Sequence, residues 1–180
     1  MYPVRLGYAT AVKRIRRLLR NRHHAEALVS AVFMVEKTLR RTLRQLVVSA
    51  GFTSKMADRV VGNLRGLDAV KGSWDLYDPA NRKLVDLLPS ADWQTFKSCA
   101  EMRNKLVHGE RVYDLEECRL RAQEVLLALD GLRTRFATEY GYDGWTTASR
   151  RSKPRLHVDP KVRWTQGQQQ APAPTPSKES

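Results

Sequence analysis

The sequence HHAEALVSAVFMVEKTLRRTLRQLVVS, residues 23–49, repeats apolar side chains at three- and four-residue spacing over its whole length. This spacing is typical of an amphipathic α-helix, and Gly51 follows where such a helix is expected to end. Val29, Phe33 and Val47 widen the apolar face, so we predict that this is the central helix of a bundle. The main face is formed by Leu28, Ala31, Val32, Val35, Leu39, Thr42, Leu43 and Leu46.

Shorter helical patterns flank this segment. Residues 9–21 alternate apolar and basic positions with helical spacing, and Thr53 is a suitable N-cap for a helix that continues to about residue 64. Residues 66–82 are expected to hold a short helix and a loop. The Asp78-Pro79 pair then has the order in which a cap and a first helical residue often occur, which predicts a helix through Leu88.

Two longer helices are expected in the second half of the chain. Ser90 is the predicted cap of a helix that Gly109 closes. Asp114 and Glu117 form a D-x-x-E capping pattern for a last helix that extends to about Tyr140. The apolar stripe of that last helix comprises Leu115, Cys118, Ala122, Val125, Leu126, Leu129, Leu132 and Phe136.

The chain therefore shows helical patterns almost throughout, with no convincing strand pattern and no internal repeat. We predict an all-α fold, an antiparallel bundle of four principal helices plus short helices, over residues 1–142. Residues 143–180 are expected to form a flexible tail, first basic and then rich in Gln and Pro. Trp145 and Trp164 could stack on nucleic-acid bases if the tail is a binding arm, whereas the other interpretation is a solubilising tail.

Composition indicates which partners to expect. The 180 residues carry a formal net charge of +13, and 42% of them are apolar. Such a charge favours a polyanionic partner, nucleic acid or an anionic membrane, although it also serves solubility alone. The basic face of the first helix, Lys13, Arg14, Arg16, Arg17 and Arg20, has the same alternatives: contact with phosphates, a membrane surface, or a solvated face.

The expected compartment follows from the cysteines and from hydropathy. Cys99 and Cys118 lie far apart among apolar helical positions, which predicts buried free thiols in a reducing compartment. No apolar run approaches the length of about 18 residues that a membrane span needs, and the first residues lack the apolar core of a signal peptide. We expect a cytoplasmic protein without a membrane partner.

The segment EMRNKLVHG, residues 101–109, interrupts the apolar stripe of its helix with a cation. At about 100° per residue, Arg103 projects only about 20° from the centre of that stripe. A guanidinium in apolar surroundings is costly unless it is paired. Glu36, at the border of the apolar face of residues 23–49, is its predicted partner, and the alternative is a surface pair between Glu36 and Arg40 one turn away.

Asn104 and His108 lie one turn apart on the flank of the same stripe. Phosphodiester cleavage without a metal needs little more than an imidazole, a guanidinium and a carboxamide. The imidazole transfers protons, the guanidinium stabilises the charge that develops on the phosphate, and the carboxamide orients either group. Since Arg103 and His108 are about 140° apart on one helix, two copies of the chain facing each other would form a better site than one copy. Lys105 is an additional candidate RNA contact.

Other catalytic signatures are absent from the sequence. It contains no Walker A loop, no G-x-G-x-x-G, no H-E-x-x-H, no cysteine pair and no G-x-S-x-G. With four histidines, two of them adjacent, we expect no multi-histidine metal centre and no cofactor.

The motif RNKLVHG, which closes the third of the four main helices and precedes a long one, resembles the HEPN superfamily (higher eukaryotes and prokaryotes nucleotide-binding). Its ribonuclease members carry R-x-x-x-x-H, often with Asn after the arginine, as Arg103, Asn104 and His108 do here. The resemblance implies a helical bundle, a symmetric dimer, and RNA cleavage without a metal that leaves a cyclic phosphate and a 5′-hydroxyl. It also implies a role as a toxin, with an antitoxin partner, or in defence.

Two hypotheses of different classes follow. The first is a metal-independent HEPN-type endoribonuclease, with His108 as acid/base, Arg103 as phosphate stabiliser and Asn104 and Glu36 in support. The alternative is a non-catalytic helical module that binds nucleic acid or a partner protein, in which Arg103 is a structural ion-pair residue. A regulator that uses the first basic helix in the major groove of DNA is a weaker third interpretation, since no helix-turn-helix spacing supports it.

Overall fold

The structure is a computed structural model and describes residues 7–155. Within this range every regular element is helical and there is no strand, which confirms the all-α prediction. The α-helices are α1 (Tyr8–Arg20), α2 (His24–Ser49), α3 (Ser54–Asn63), α4 (Gly66–Gly72), α5 (Ser90–Val107) and α6 (Leu115–Tyr140), with a 3₁₀ helix at Leu84–Leu87.

Helix α2 lies at the centre of the molecule, as predicted, although Phe33, which was assigned to its widened apolar face, is 60% exposed. It packs against α6 most extensively, and also against α1, α3, α4 and α5. Leu28, Leu39 and Leu43 of α2 are fully buried, as are Leu132 and Phe136 of α6. Each buried aliphatic side chain contributes roughly 1.5–3 kcal/mol from its removal from water, so this pair of helices provides the main stabilising contact of the fold.

The expected helix ends are largely confirmed. The hydroxyl of Thr53 accepts the N–H of Met56 at 3.2 Å and caps α3. The carboxylate of Asp114 accepts the N–H groups of Glu116 at 2.7 Å and Glu117 at 3.2 Å and caps α6. These bonds satisfy backbone donors that have no partner within the first turn of a helix.

The predicted helix from Asp78 to Leu88 is wrong. The buried carboxylate of Asp78 accepts the N–H groups of Ala80 at 2.9 Å and Arg82 at 3.0 Å, and the hydroxyl of Tyr140 at 2.6 Å. Asn81 has a φ of 53°, in the left-handed region that ends a right-handed helix. The aspartate therefore stabilises a tight turn against α6, and only Leu84–Leu87 forms a short 3₁₀ helix.

Two smaller expectations are also wrong. Ser90 is the first residue of α5 and makes no cap hydrogen bond, because the chain turns into the helix at Pro89, whose extended ψ is 135°. Leu115 does not belong to the core: it begins α6 with 54% of its surface exposed. Cys99 and Cys118, in contrast, are buried free thiols, as predicted.

The first part of the expected tail, residues 143–155, lies against the helices. Gln45 exchanges hydrogen bonds with Ser149, and the carbonyl of Arg151 accepts the N–H of Ser54 at 2.9 Å. The N–H of Arg155 donates to the carbonyl of Gly51 at 2.8 Å. The expectations for residues 156–180, Trp164 included, lie outside the described residues. Across residues 7–155, every helix is too short or too polar to traverse a lipid bilayer.

Candidate functional site

The motif segment ends α5 with a glycine turn. His108 is the C-cap residue, and its N–H donates to the carbonyl of Asn104 at 3.0 Å. Gly109 follows with a φ of 68°, which L side chains rarely adopt, and the N–H of Glu110 donates to the carbonyl of Lys105 at 2.9 Å. This pattern of hydrogen bonds is that of a Schellman motif, and it confirms the predicted helix end at Gly109.

Arg103 and Glu36 form the predicted ion pair. Arg103 Nη2 donates to Glu36 Oε1 across the contact between α5 and α2. The two side chains are 24% and 20% exposed, so water reaches both of them. The alternative pair between Glu36 and Arg40 does not form, because Arg40 donates to the backbone carbonyls of Val61 at 2.9 Å and Leu64 at 2.8 Å.

Arg103 lines an open cavity of about 400 Å³ between α1, α2 and α5, which we call the Arg103 groove. Apolar surface is provided by Ile15 and Met34 and by the exposed side chains of Phe33 and Val107. Cationic and aromatic groups also line this groove: Arg14, Lys37 and Trp145. Burial lowers the pKa of Lys37, and the neighbouring Arg41 lowers it further.

On its other side Arg103 lines a second, polar cavity of about 500 Å³ together with Glu36 and Asn104. The structure therefore brings Arg103, Asn104 and Glu36 together. His108 and Lys105 are exposed at the end of α5 and line neither of these two cavities. Within one chain His108 thus shares neither of these cavities with Arg103, in line with the helical angle between the two positions.

The basic residues of α1 fall into two groups. Arg14 lines the Arg103 groove. The other predicted RNA contacts on this helix are exposed around its solvent side, while Val12 and Ile15 face the core: Lys13, Arg16, Arg17 and Arg20. The groove thus contains one of the five predicted RNA contacts of α1, and the other four form a basic surface on the same helix.

Trp145 occupies a position that sequence reasoning did not identify. Its indole Nε1 donates to the hydroxyl of Thr38 at 2.7 Å, so the ring lies on α2 and not on a separate arm. The Lys37 ammonium and the Arg41 guanidinium lie 4.9 Å and 5.2 Å from the ring centroid. Cations at this distance from an aromatic ring interact with its π-electrons, and they make the surroundings of Trp145 strongly positive.

A turn at residues 141–146 holds Trp145 in place. One carboxylate oxygen of Asp143 accepts the N–H groups of Trp145 and Thr146, each at 2.8 Å, and the other accepts a hydrogen bond from Arg133. Burial by itself would raise the pKa of Asp143, but these hydrogen bonds outweigh it and lower the pKa to about 2. Gly144 approaches α2 so closely that an added Cβ would lie 2.9 Å from Thr38 Cγ2.

The sequence signal for this turn was the GYDGW segment at residues 141–145, in which an aspartate lies between two glycines. Such a pattern is typical of a turn closed by an aspartate side chain with glycines at positive φ. Gly141 and Gly144 have φ values of 63° and 84°. The pattern identifies the turn, but it does not show that the turn packs against Thr38, more than 100 residues earlier.

Residues 7–155 contain no group of three or more His, Cys, Asp or Glu side chains arranged to hold a metal ion. Comparison with protein-family models, with curated proteins and with solved structures finds no match to this chain.

Proposed function

We propose that this chain is a metal-independent endoribonuclease of HEPN type that cleaves RNA as a symmetric dimer, with a helical bundle of the HEPN kind as its frame. The observation that carries the proposal is the pairing of Arg103 with Glu36 at the edge of a basic groove. Glu36 orients the guanidinium but occupies only part of its donors, so the others remain for a phosphate. Asn104 lies beside this pair, and His108 is exposed one turn further along.

In the proposed reaction the RNA itself supplies the nucleophile. The imidazole of His108 takes the proton of a ribose 2′-hydroxyl, and the 2′-oxygen attacks the adjacent phosphorus. The bond from phosphorus to the 5′-oxygen breaks, that oxygen takes a proton from water, and a 2′,3′-cyclic phosphate remains, while His108 releases the proton that it took to solvent. Arg103 stabilises the negative charge that grows on the non-bridging oxygens, and Asn104 orients one of the reacting groups.

The dimer is part of the proposal because one chain separates its two key groups. A second copy whose α5 faces the first would place the His108 of one chain near the Arg103 of the other. Phe33 and Val107, each 60% exposed beside Arg103, support such a contact, since exposed apolar residues rimmed by polar ones are typical of interaction surfaces. Cytoplasmic action as a toxin or defence nuclease, with an antitoxin protein as partner, belongs to the same proposal.

The test is incubation of the pure protein with RNA in excess EDTA, followed by analysis of the product ends. We expect a 2′,3′-cyclic phosphate and a 5′-hydroxyl, and no cleavage of 2′-O-methyl RNA, which lacks the nucleophile. His108→Ala should reduce the rate at least 100-fold, whereas the matched control His23→Ala, another exposed histidine at a helix end, should cleave like the wild type. Equal rates for the two variants would refute the proposal.

A second candidate function is a non-catalytic module that binds nucleic acid or a protein. The ion pair between Arg103 and Glu36 favours this second function, because a cation with a purely structural role needs a carboxylate partner inside the fold. In that case Arg103→Ala should destabilise the fold, while His108→Ala should leave RNA binding unchanged and no cleavage should occur in any buffer.

A further inference from the structure

Another cavity, distinct from the two that Arg103 lines, lies beyond Trp145, between α2 and the segment that follows α6. Its volume is about 420 Å³, and we call it the distal cavity. Trp145 lines both this cavity and the Arg103 groove, so the two adjoin at the indole ring. Lys37 lines the groove and Arg41 lines the distal cavity, and on α2 these cations are one turn apart, roughly 6 Å along the helix axis.

The distal cavity is positively charged. Three arginines line it, and none of its lining residues is acidic. Arg44 is compensated by Asp58, to which its Nε donates at 2.5 Å. Arg41 and Arg150 have no ion-pair partner within the described residues, and Arg41 contacts the Trp145 ring instead. Two guanidinium groups thus face one cavity with their charge uncompensated.

A buried hydroxyl at the same place lacks a partner. Tyr142 lines the distal cavity and is only 4% exposed, and its hydroxyl lies beside the Arg41 guanidinium without forming a hydrogen bond of standard geometry within the described residues. Buried phenol groups nearly always have a hydrogen-bond partner, so this hydroxyl is a donor that a ligand could satisfy. The hydroxyl-bearing side chains of Thr146 and Thr147 also line the cavity.

We propose that the distal cavity binds a backbone phosphate of a single-stranded RNA that also occupies the Arg103 groove. Guanidinium groups bind phosphate oxygens through paired hydrogen bonds, and hydroxyl donors complete the set. The exposed part of the Trp145 ring, between groove and cavity, provides a surface on which an intervening base stacks. The proposal rests on the proposed function only in that the ligand is the RNA substrate.

The distal cavity therefore sets a minimum length for an RNA that uses both sites. A short RNA that fills only the Arg103 groove would gain nothing from Arg41 and Arg150. A longer RNA that passes Trp145 would bind more tightly, and the gain would depend on these two arginines and on Tyr142.

Binding can be measured without cleavage by titrating the full wild-type chain with fluorescent 2′-O-methyl RNA of increasing length. We expect Arg41→Ala and Arg150→Ala each to weaken the binding of long RNA about tenfold and to reduce the slope of log affinity against log salt by about one. Tyr142→Phe should weaken it by a smaller factor. The matched control Arg135→Ala removes an exposed charge from α6 and should change affinity less than twofold.

A methylphosphonate scan tests the contact itself. One linkage at a time is made neutral in the long RNA, and one position should weaken binding to the wild type but not to Arg41→Ala or Arg150→Ala. If every position has the same effect, or if both variants behave like Arg135→Ala, the proposal is overturned. The same holds if the two arginines affect binding of inorganic phosphate but not of RNA.

The binding measurements do not depend on whether the protein cleaves RNA. A position-specific effect in a protein that cleaves no RNA would support the distal cavity and refute the nuclease. Cleavage with the expected product ends, but without a position-specific effect, would refute the distal cavity alone.

Discussion

Arg103 of α5 donates a hydrogen bond to Glu36 of α2, and this contact joins the motif to the central helix of the fold. Arg103 Nε is buried and has no hydrogen-bond partner within the described residues. Because Nε is enclosed, only the terminal Nη groups of the guanidinium remain to contact a second anion beside Glu36. This is the arrangement expected of an arginine that must remain in place and still bind a second anion.

Replacing Glu36 tests its contribution to the stability of the fold and its contribution to RNA cleavage. Glu36→Gln keeps the size of the side chain but removes the charge that orients Arg103. We expect a loss of about 1–2 kcal/mol in the free energy of unfolding, less than for a fully buried pair because both side chains contact water. RNA cleavage should fall about tenfold, since a misoriented guanidinium stabilises the transition state poorly. Urea unfolding and cleavage rates measure the two effects.

The matched control for this prediction is Glu26→Gln, which removes an exposed carboxylate from the first turn of the same helix. Its effect on unfolding should stay within about 0.5 kcal/mol. If the two glutamate variants are equally stable and equally active, Glu36 does not position Arg103.

The Glu36–Arg103 pair could be predicted from the sequence because helical periodicity is a local property. A cation on an apolar stripe requires a compensating carboxylate, and Glu36 lies at the border of the apolar face of α2, from which it can reach a neighbouring helix. The same local reasoning located α2, the cap at Thr53 and the glycine end of α5. Those three features depend on residues within a few positions of one another. Glu36 and Arg103 are 67 positions apart, and local periodicity indicated only that Arg103 needs a carboxylate and that Glu36 is placed to reach a neighbouring helix.

The docked turn and the Asp78 segment could not be predicted in this way. Asp78 precedes a proline as a helix cap often does, but its carboxylate binds Tyr140 and Arg82, and the contact with Tyr140 joins residues 62 positions apart. Likewise, Trp145 depends on a hydrogen bond to Thr38. No local pattern specifies such partners, so the residues that connect the groove to the distal cavity became evident only in three dimensions.

Gly144→Ala should detach the turn that holds Trp145. The added Cβ would meet Thr38 Cγ2 at 2.9 Å and the Thr38 carbonyl oxygen at 3.1 Å, at a φ of 84°. We expect a loss of about 1–3 kcal/mol in unfolding free energy, weaker binding of long RNA, and a change in tryptophan fluorescence.

Gly62→Ala is the matched control, because this glycine lies within α3 and its Cβ would meet nothing within 4 Å. It should stabilise the protein by up to about 0.5 kcal/mol, less than the gain in the middle of a helix because Gly62 is the last residue but one of α3. Equal stability of the two variants would show that the close approach at Gly144 does not constrain the turn.

Two buried carboxylates make the fold sensitive to acid. Hydrogen bonds from Arg82, Tyr140 and the backbone overcome the opposing effect of burial and lower the pKa of Asp78 to about 2, as others do for Asp143. In the unfolded chain both groups have the ordinary aspartate pKa of about 3.9. Their contribution to stability is therefore complete above about pH 4 and is lost as the pH falls toward 2.

Urea unfolding at several pH values measures this loss. Asp143→Asn provides an amide oxygen that can accept the N–H groups of Trp145 and Thr146, so the turn should still form. The variant lacks the carboxylate, so the part of the free energy of unfolding that depends on its protonation should be lost. The free energy of unfolding of this variant should decline less steeply between pH 4 and 2 than that of the wild type. Asp68→Asn, at an exposed position, should retain the wild-type slope, and equal slopes for all three proteins would contradict the role assigned to Asp143.

The separation of Arg103 and His108 on α5 predicts that cleavage depends on protein concentration. If two chains must combine to form one site, activity per chain should rise with concentration and reach half its maximum where sedimentation detects half of the chains as dimers.

A mixture of Arg103→Ala and His108→Ala should be more active than either variant alone, because mixed dimers unite an intact Arg103 with an intact His108. A mixture of His108→Ala with Arg103→Ala/His108→Ala is the control, since none of its dimers contains an intact histidine. Constant activity per chain at concentrations where the protein is monomeric would show that one copy is sufficient.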